Sequence, residues 1–145
     1  MRNGNEDPAG GRSGDAPRSP LVSISWGELL DKITILEIKL AHLTSPEALS
    51  NVGREHRLLS EIASRVGGDR AAVDRLQAAL KEVNQKLWKI EDEIRDKEAR
   101  QEFDSAFIEL ARAVYRTNDE RARIKREINF LSKSELIEEK QYASY

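Results

Sequence analysis

Apolar residues fall at helical spacing through most of this chain. From Val73 onward they follow one another at intervals of three and four without a break: Val73, Leu76, Leu80, Val83, Leu87, Ile90 and Ile94. That is a heptad seam over about three repeats, the mark of a helix that lays one stripe against a neighbour. The stripe disappears over residues 95–102. It resumes as Phe103, Phe107, Leu110, Ala111 and Val114, then Ile124, Ile128 and Leu131. At about 100° per residue the second stripe is rotated by about 140° from the first, so a single straight helix would not bury both. Asp104 suits an N-cap, with Phe103 and Ile108 at the two staple positions. The pattern therefore predicts two antiparallel helices, near 69–100 and 104–134, each about 45 Å long. Residues 135–145 read as a partly helical tail whose Tyr142 and Tyr145 are either free or packed back on the bundle.

The first half of the chain adds two more helices. Ser25-Trp26-Gly27-Glu28 has capping-box spacing, in which the serine oxygen takes the Glu28 amide and the Glu28 carboxylate returns to the Ser25 amide. Ile24 and Leu29 stand at staple positions. The helix so started runs to about Leu43, with one stripe of Leu29, Ile33, Leu36, Leu40 and Leu43 and a second side bearing Ile35 and Ile38. A helix that is apolar on two sides is central, or is pressed between its own core and a partner chain. Ser45-Pro46 opens a second helix, about 46–66, carrying Leu49, Val52, Leu59, Ile62 and Val66 and weakened at Gly53. Gly67-Gly68 ends it and Asp69 caps the next. Residues 1–20 differ, holding four of the eight glycines and three of the four prolines. They are expected to be a disordered tail. The fold class predicted is all-α: a long antiparallel hairpin packed with two N-terminal helices, a bundle or coiled-coil-like domain over residues 21–145.

Composition narrows the partners. Charged residues make up 34%, yet 24 basic and 26 acidic side chains leave a net charge of -2, so no global field favours DNA or an anionic membrane. Residues 112–133 are locally basic, but Arg123 and Arg126 point away from Arg121 and Lys125, which fits a solvated helix better than a nucleic-acid face. Mean hydropathy is -0.64 and the apolar runs are short, which argues against a membrane span. With no cysteine, a disulfide and a thiolate metal site are both excluded. A bacterial cytoplasmic protein without a cofactor is expected.

One group of polar residues breaks the pattern. Asn118, Arg121, Lys125 and Asn129 project within about 40° of the apolar stripe of the last helix, where a buried face should be. The preceding helix has a flanking counterpart in Asn84, Trp88, Glu91 and Arg95, with Asn84 expected opposite Asn118. One reading is a polar network that fixes register. The other is a ligand site in which Arg121 and Lys125 receive an anion, Trp88 is a wall and the asparagines orient. Buried cations need an acidic partner, and Glu91 and Glu37 are the candidates within the chain. In the first helix Asp31, Lys32, Glu37 and Lys39 read as ions rimming a two-sided helix, with Glu37 the carboxylate expected to be buried. Pairs such as Glu28/Asp31, Glu93/Asp96 and Glu135/Glu138 have a spacing that some helical Mg²⁺-dependent hydrolases use, but they interleave with Lys and Arg as surface ion pairs do. His42 and His56 lack a partner motif, and there is neither a nucleophile elbow nor a phosphate loop.

Three stretches, VSISWGELLDKITILEIK (22–39), VNQKLWKIEDEIR (83–95) and VYRTNDERARIKREIN (114–129), together with the closing EEKQYASY (138–145), resemble a bacterial family known only as a domain of unknown function. Its members open with a V-S-W/F-G-E-L-x-D-K-I-T-I-L-E-I-K segment and close with E-E-K-x-Y. The likeness covers about residues 22–145. It brings no activity with it. It implies only a faint link to surface-glycan metabolism, through the glycosyltransferase-like and tetratricopeptide proteins those members accompany. No catalytic residue is assigned. The chain reads as a non-enzymatic module that forms a homo-oligomer or binds a partner protein. The alternative is a small anionic ligand, a phosphosugar or nucleotide sugar, held between helices.

Overall fold

The computed structural model of the protein describes residues 18–145. The disordered tail expected over residues 1–20 therefore lies, for residues 1–17, outside the described residues. Four helices follow in order: α1 (Trp26–His42), α2 (Pro46–Ala63), α3 (Arg70–Ala99) and α4 (Ser105–Leu131). The described residues contain no strand, and none of their helices is long and apolar enough to cross a membrane.

Each helix starts at its predicted cap. The side chains of Ser25, Ser45, Asp69 and Asp104 accept from the amides of Glu28 (3.1 Å), Ala48 (3.4 Å), Ala72 (3.2 Å) and Phe107 (2.9 Å). These bonds satisfy amides that a helix leaves without internal partners. The reciprocal half of the predicted capping box does not form. The Glu28 carboxylate accepts instead from Lys125 Nζ at 2.7 Å, because an ammonium makes a stronger charge-assisted bond than a backbone amide.

Helices α3 and α4 end alike, without glycine. Gln101 and Lys133 take positive φ values of 57° and 55°. At the first end the Glu102 amide reaches back to Lys97 O (3.0 Å) and the Gln101 amide to Glu98 O (3.0 Å). At the second the Ser134 amide reaches Asn129 O (2.9 Å) and the Lys133 amide reaches Phe130 O (3.3 Å). Both are Schellman turns. The second corrects the expected partly helical tail: it swings the chain off the α4 axis, and residues 135–145 are non-helical and exposed. Helix α2 likewise stops at Ala63 rather than near residue 66, where Arg65 and Val66 tighten into three-residue turns on Ile62 and Ala63.

The two-sided α1 is central. It packs against α2, α3 and α4, while α3 and α4 form the hairpin. Leu29, Leu30 and Ile33 meet Ala63, Val73, Leu80, Val83, Ile124 and Ile128 in one core. But α1, with 17 residues against 30 and 27 in the hairpin helices, is about 25 Å long beside helices of about 40–45 Å. It covers only half of the hairpin. Along the α3 seam Val73, Leu80 and Val83 are buried, whereas Leu87, Ile90 and Ile94 are only half-buried. No residue from 85 to 123 is buried.

The left-handed conformation is one that only glycine adopts without a steric cost of about 1–2 kcal/mol. Lys133→Gly is therefore expected to stabilise the protein by about 0.5–1 kcal/mol, part of the relief being offset by the greater freedom of unfolded glycine. Urea unfolding followed by circular dichroism checks it. A midpoint that moves down would show that the Lys133 side chain contributes more than its backbone strain costs.

Candidate functional site

Helices α1 and α4 approach closely because residue 27 is a glycine. A Cβ placed there would lie 2.5 Å from Lys125 O and 2.8 Å from Asn129 Oδ1. The closeness lets α4 cap α1 from outside. Asn129 Oδ1 accepts from the Gly27 amide at 2.7 Å and Ser134 Oγ from the Trp26 amide at 3.3 Å. With Ser25 on the Glu28 amide, the first three amides of α1 are all bonded. Asn129 is 1% exposed, and its Nδ2 is left without a partner. Three good bonds at the helix start outweigh that one orphan, which costs about 1–3 kcal/mol.

One turn further along α1 the side chains turn polar and meet the other two helices. Asp31, 1% exposed, receives Arg121 of α4 in a two-pronged grip, Nε on Oδ1 at 2.9 Å and Nη2 on Oδ2. Asn84 of α3 donates to the same Oδ1 at 2.9 Å and to Thr34 Oγ1 at 2.9 Å. The Thr34 hydroxyl donates back to Asp31 O at 2.8 Å. The remaining Arg121 Nη1 donates to Asn118 Oδ1 over a long 3.4 Å. A turn toward the start of α1, the buried Lys125 donates to Glu28 and to Glu138 from the segment after α4, both at 2.7 Å. For Arg121 the hydrogen bonds to Asp31 raise the pKa above the ordinary guanidinium value, against the opposing effect of burial. For Lys125 burial is the largest influence and lowers the pKa, but the bonds to Glu138 and Glu28, with the nearby charges of Asp31 and Glu28, outweigh it and leave the ammonium favoured.

Five of the eight residues singled out in the sequence, Asn84, Asn118, Arg121, Lys125 and Asn129, come together here. Asn84 and Asn118 do not face each other as expected; they reach the Asp31–Arg121 pair from opposite ends. Trp88 stands beside the cluster, half-buried, its ring 4.9 Å from that of His42. Glu91 and Glu37 do not meet the cations. Glu91 is exposed and pairs with Arg95 on its own helix at 3.3 Å. Glu37 lies on the far side of α1, where it holds Lys81 at 3.0 Å and faces His56 at 3.6 Å. The buried carboxylate of α1 is thus Asp31, not Glu37. At so close a crossing, a short side chain on the α4 side reaches Arg121, whereas Glu37 points back toward α2. The signal was present in the sequence: Gly27, Asp31, Thr34 and Ile38 follow at four, three and four, a second buried stripe written in small and polar residues.

Taking away one partner of a buried ion pair leaves the other charge dry. Arg121→Met is expected to cost about 3–5 kcal/mol, and Asp31→Leu combined with Arg121→Met to recover most of that loss. Lys125→Met should cost only about 1 kcal/mol, since Glu28 and Glu138 are 34% and 53% exposed and regain water. Denaturant titration of the four proteins checks the ranking. An Arg121→Met protein as stable as the parent would remove the cluster from the fold's energetics.

No curated protein and no solved structure matches. Residues 21–145 match a family of unknown function (DUF6165), and the chain belongs to that family.

Proposed function

We propose that this protein is a non-enzymatic cytoplasmic module that self-associates, two copies packing through the distal half of the α3–α4 hairpin. One observation carries the reading: the hairpin continues about 20 Å beyond α1 with a regular apolar seam and nothing buried from residue 85 to 123. Two helices alone cannot enclose Ile90, Ile94, Phe107, Leu110 and Val114, all half-buried; a third and fourth helix are the usual solution. Where α1 gives out, Ile35, Ile38, Leu87 and Trp88 floor a groove of about 450 Å³. A second copy suits it for two reasons. One is that its hairpin has the matching length, so that two faces about 20 Å long and 20 Å wide, about 400 Å² each, close on one another as a small interface. Charges along distal α3 also shift, from the three acids Glu91, Asp92 and Glu93 to the mixed run 95–100, where Arg95, Lys97 and Arg100 outnumber Asp96 and Glu98, so an antiparallel copy sets the acidic end against the more basic one.

Light scattering on the full chain at tens of micromolar is expected to give about twice 16.4 kDa, and Trp88→Glu to return it to the monomer with its helical content kept. A monomer throughout overturns self-association; a Trp88→Glu dimer overturns this choice of face.

A second reading has its own support. Arg121 Nη1 has only a long bond to Asn118, and Arg121 borders grooves on both sides. A phosphosugar or nucleotide sugar would use that free donor and compete with Glu138 for Lys125. The family resemblance is what supports placing such a ligand near surface-glycan metabolism. A panel of these compounds at about 100 times the dissociation constant would raise stability by about 2.7 kcal/mol, and the thermal shift should vanish in Lys125→Met. Silence across the panel, or a shift that survives in Lys125→Met, rejects this reading.

A further inference from the structure

The segment after α4 turns back and runs along that helix in the opposite direction. Glu138 bonds Lys125 at 2.7 Å, Glu139 bonds Arg126 at 2.9 Å, and Lys140 bonds Asp119 at 2.7 Å. Tyr145 donates its hydroxyl to Asp119 at 2.6 Å and sets its ring edge-on to Tyr115, centroids 5.0 Å apart. Each of these contacts joins side chains. Residues 135–145 are all exposed, and among the described residues they make no backbone–backbone hydrogen bond. The lengths explain this. Residues 138 to 145 span about 23 Å when extended, whereas the stretch of α4 from 115 to 125 spans about 15 Å. The segment must bow outward, and beneath it lies a groove of about 1130 Å³. A strap held by exposed ion pairs, each worth little in water and weakened by salt, is one that comes off.

The face it covers has a readable order. From the C-terminal end α4 presents Lys125 and Arg126, then Asp119, then Tyr115. We propose that this face is a docking channel for an extended segment of a partner protein carrying two acidic residues, a basic residue and then an aromatic one, and that residues 138–145 are a displaceable strap occupying it in the free protein. Asp119 is the reader at its centre, since it takes both the basic and the aromatic side chain of the occupant. Lys140 first, and Tyr145 second, hold its carboxyl below the ordinary aspartate range. The strap competes at the high effective concentration of a tethered ligand, so a partner gains the channel only by matching the pattern more fully or when the strap is weakened.

The test uses the full chain, ¹⁵N-labelled, titrated with the peptide Glu-Glu-Lys-Gln-Tyr-Ala-Ser-Tyr and followed by amide shifts. A strap-weakened variant, Glu138→Gln with Lys140→Gln and Tyr145→Ala, leaves every α4 residue in place. The peptide is expected to bind it about tenfold or more tightly than the parent chain, with shifts confined to residues 115–126 and to the displaced segment 135–145. Adding Asp119→Lys should abolish binding, and a peptide with glutamate in place of its lysine should restore it. Equal affinity for parent and strap-weakened chains overturns the channel, as does binding indifferent to Asp119→Lys. A dimer lost when the strap is weakened gives the channel to a second copy and overturns the foreign partner; a dimer lost only in Trp88→Glu belongs to the hairpin face and leaves the channel standing.

Discussion

Asp31 is a carboxylate with 1% of its surface exposed, and a carboxylate out of water persists only where donors replace its hydration. Arg121 of α4 and Asn84 of α3 supply them, so the three central helices agree on one point in space. The geometry leaves little freedom. A guanidinium gripping two oxygens fixes the rotation and the register of α4 against α1, and an amide shared between Asp31 and Thr34 does the same for α3. Such a pair contributes little net stability compared with apolar residues of the same volume. Its effect is on specificity: short apolar seams such as those of α1, α3 and α4 slide past one another at low cost, and a displaced register would strand Asp31.

The close crossing at Gly27 works with this pair rather than beside it. Because residue 27 lacks a Cβ, the α4 backbone comes near enough for Asn129 and Ser134 to cap α1, and near enough for an aspartate to span the gap to Arg121. The α1 start, the end of α4 and the ion pair between them therefore form one unit. Lys125 belongs to it on one side only: Glu28 is fixed to the cap, whereas Glu138 arrives from an exposed segment. The interior of the cluster is thus committed to the fold, and its edge is where exchange with another molecule costs little.

The helices were legible because each is announced by local chemistry. Ser25, Ser45, Asp69 and Asp104 are N-caps in the sequence and in the structure, and the 140° shift between the stripes of α3 and α4 required the turn near residue 101. The polar face of α4 was legible for the same reason, since Asn118, Arg121, Lys125 and Asn129 violate an apolar stripe. What answers them was not. Asp31 stands on the small and polar stripe of Gly27, Thr34 and Ile38, but helical periodicity says which residues share a face and not which helix that face meets, so its pairing with Arg121 could not be read from it. Short Schellman turns on Gln101 and Lys133 gave no glycine to signal them, so the end of α4 and the course of residues 135–145 were hidden as well.

The division of the hairpin follows from chain length. A helix of 17 residues cannot shield partners of 30 and 27, and after His42 the chain turns back to lay α2 on α1 instead of extending the cover. Yet the α3 seam keeps its spacing of three and four through Ile94, well past the last residue that α1 touches. Stability of the isolated chain gives little reason for Ile90 and Ile94 to be apolar on a two-helix projection, where each stays half in water and gains only part of the transfer free energy of burial. A seam of this length is accounted for if it is completed by helices the single chain does not supply.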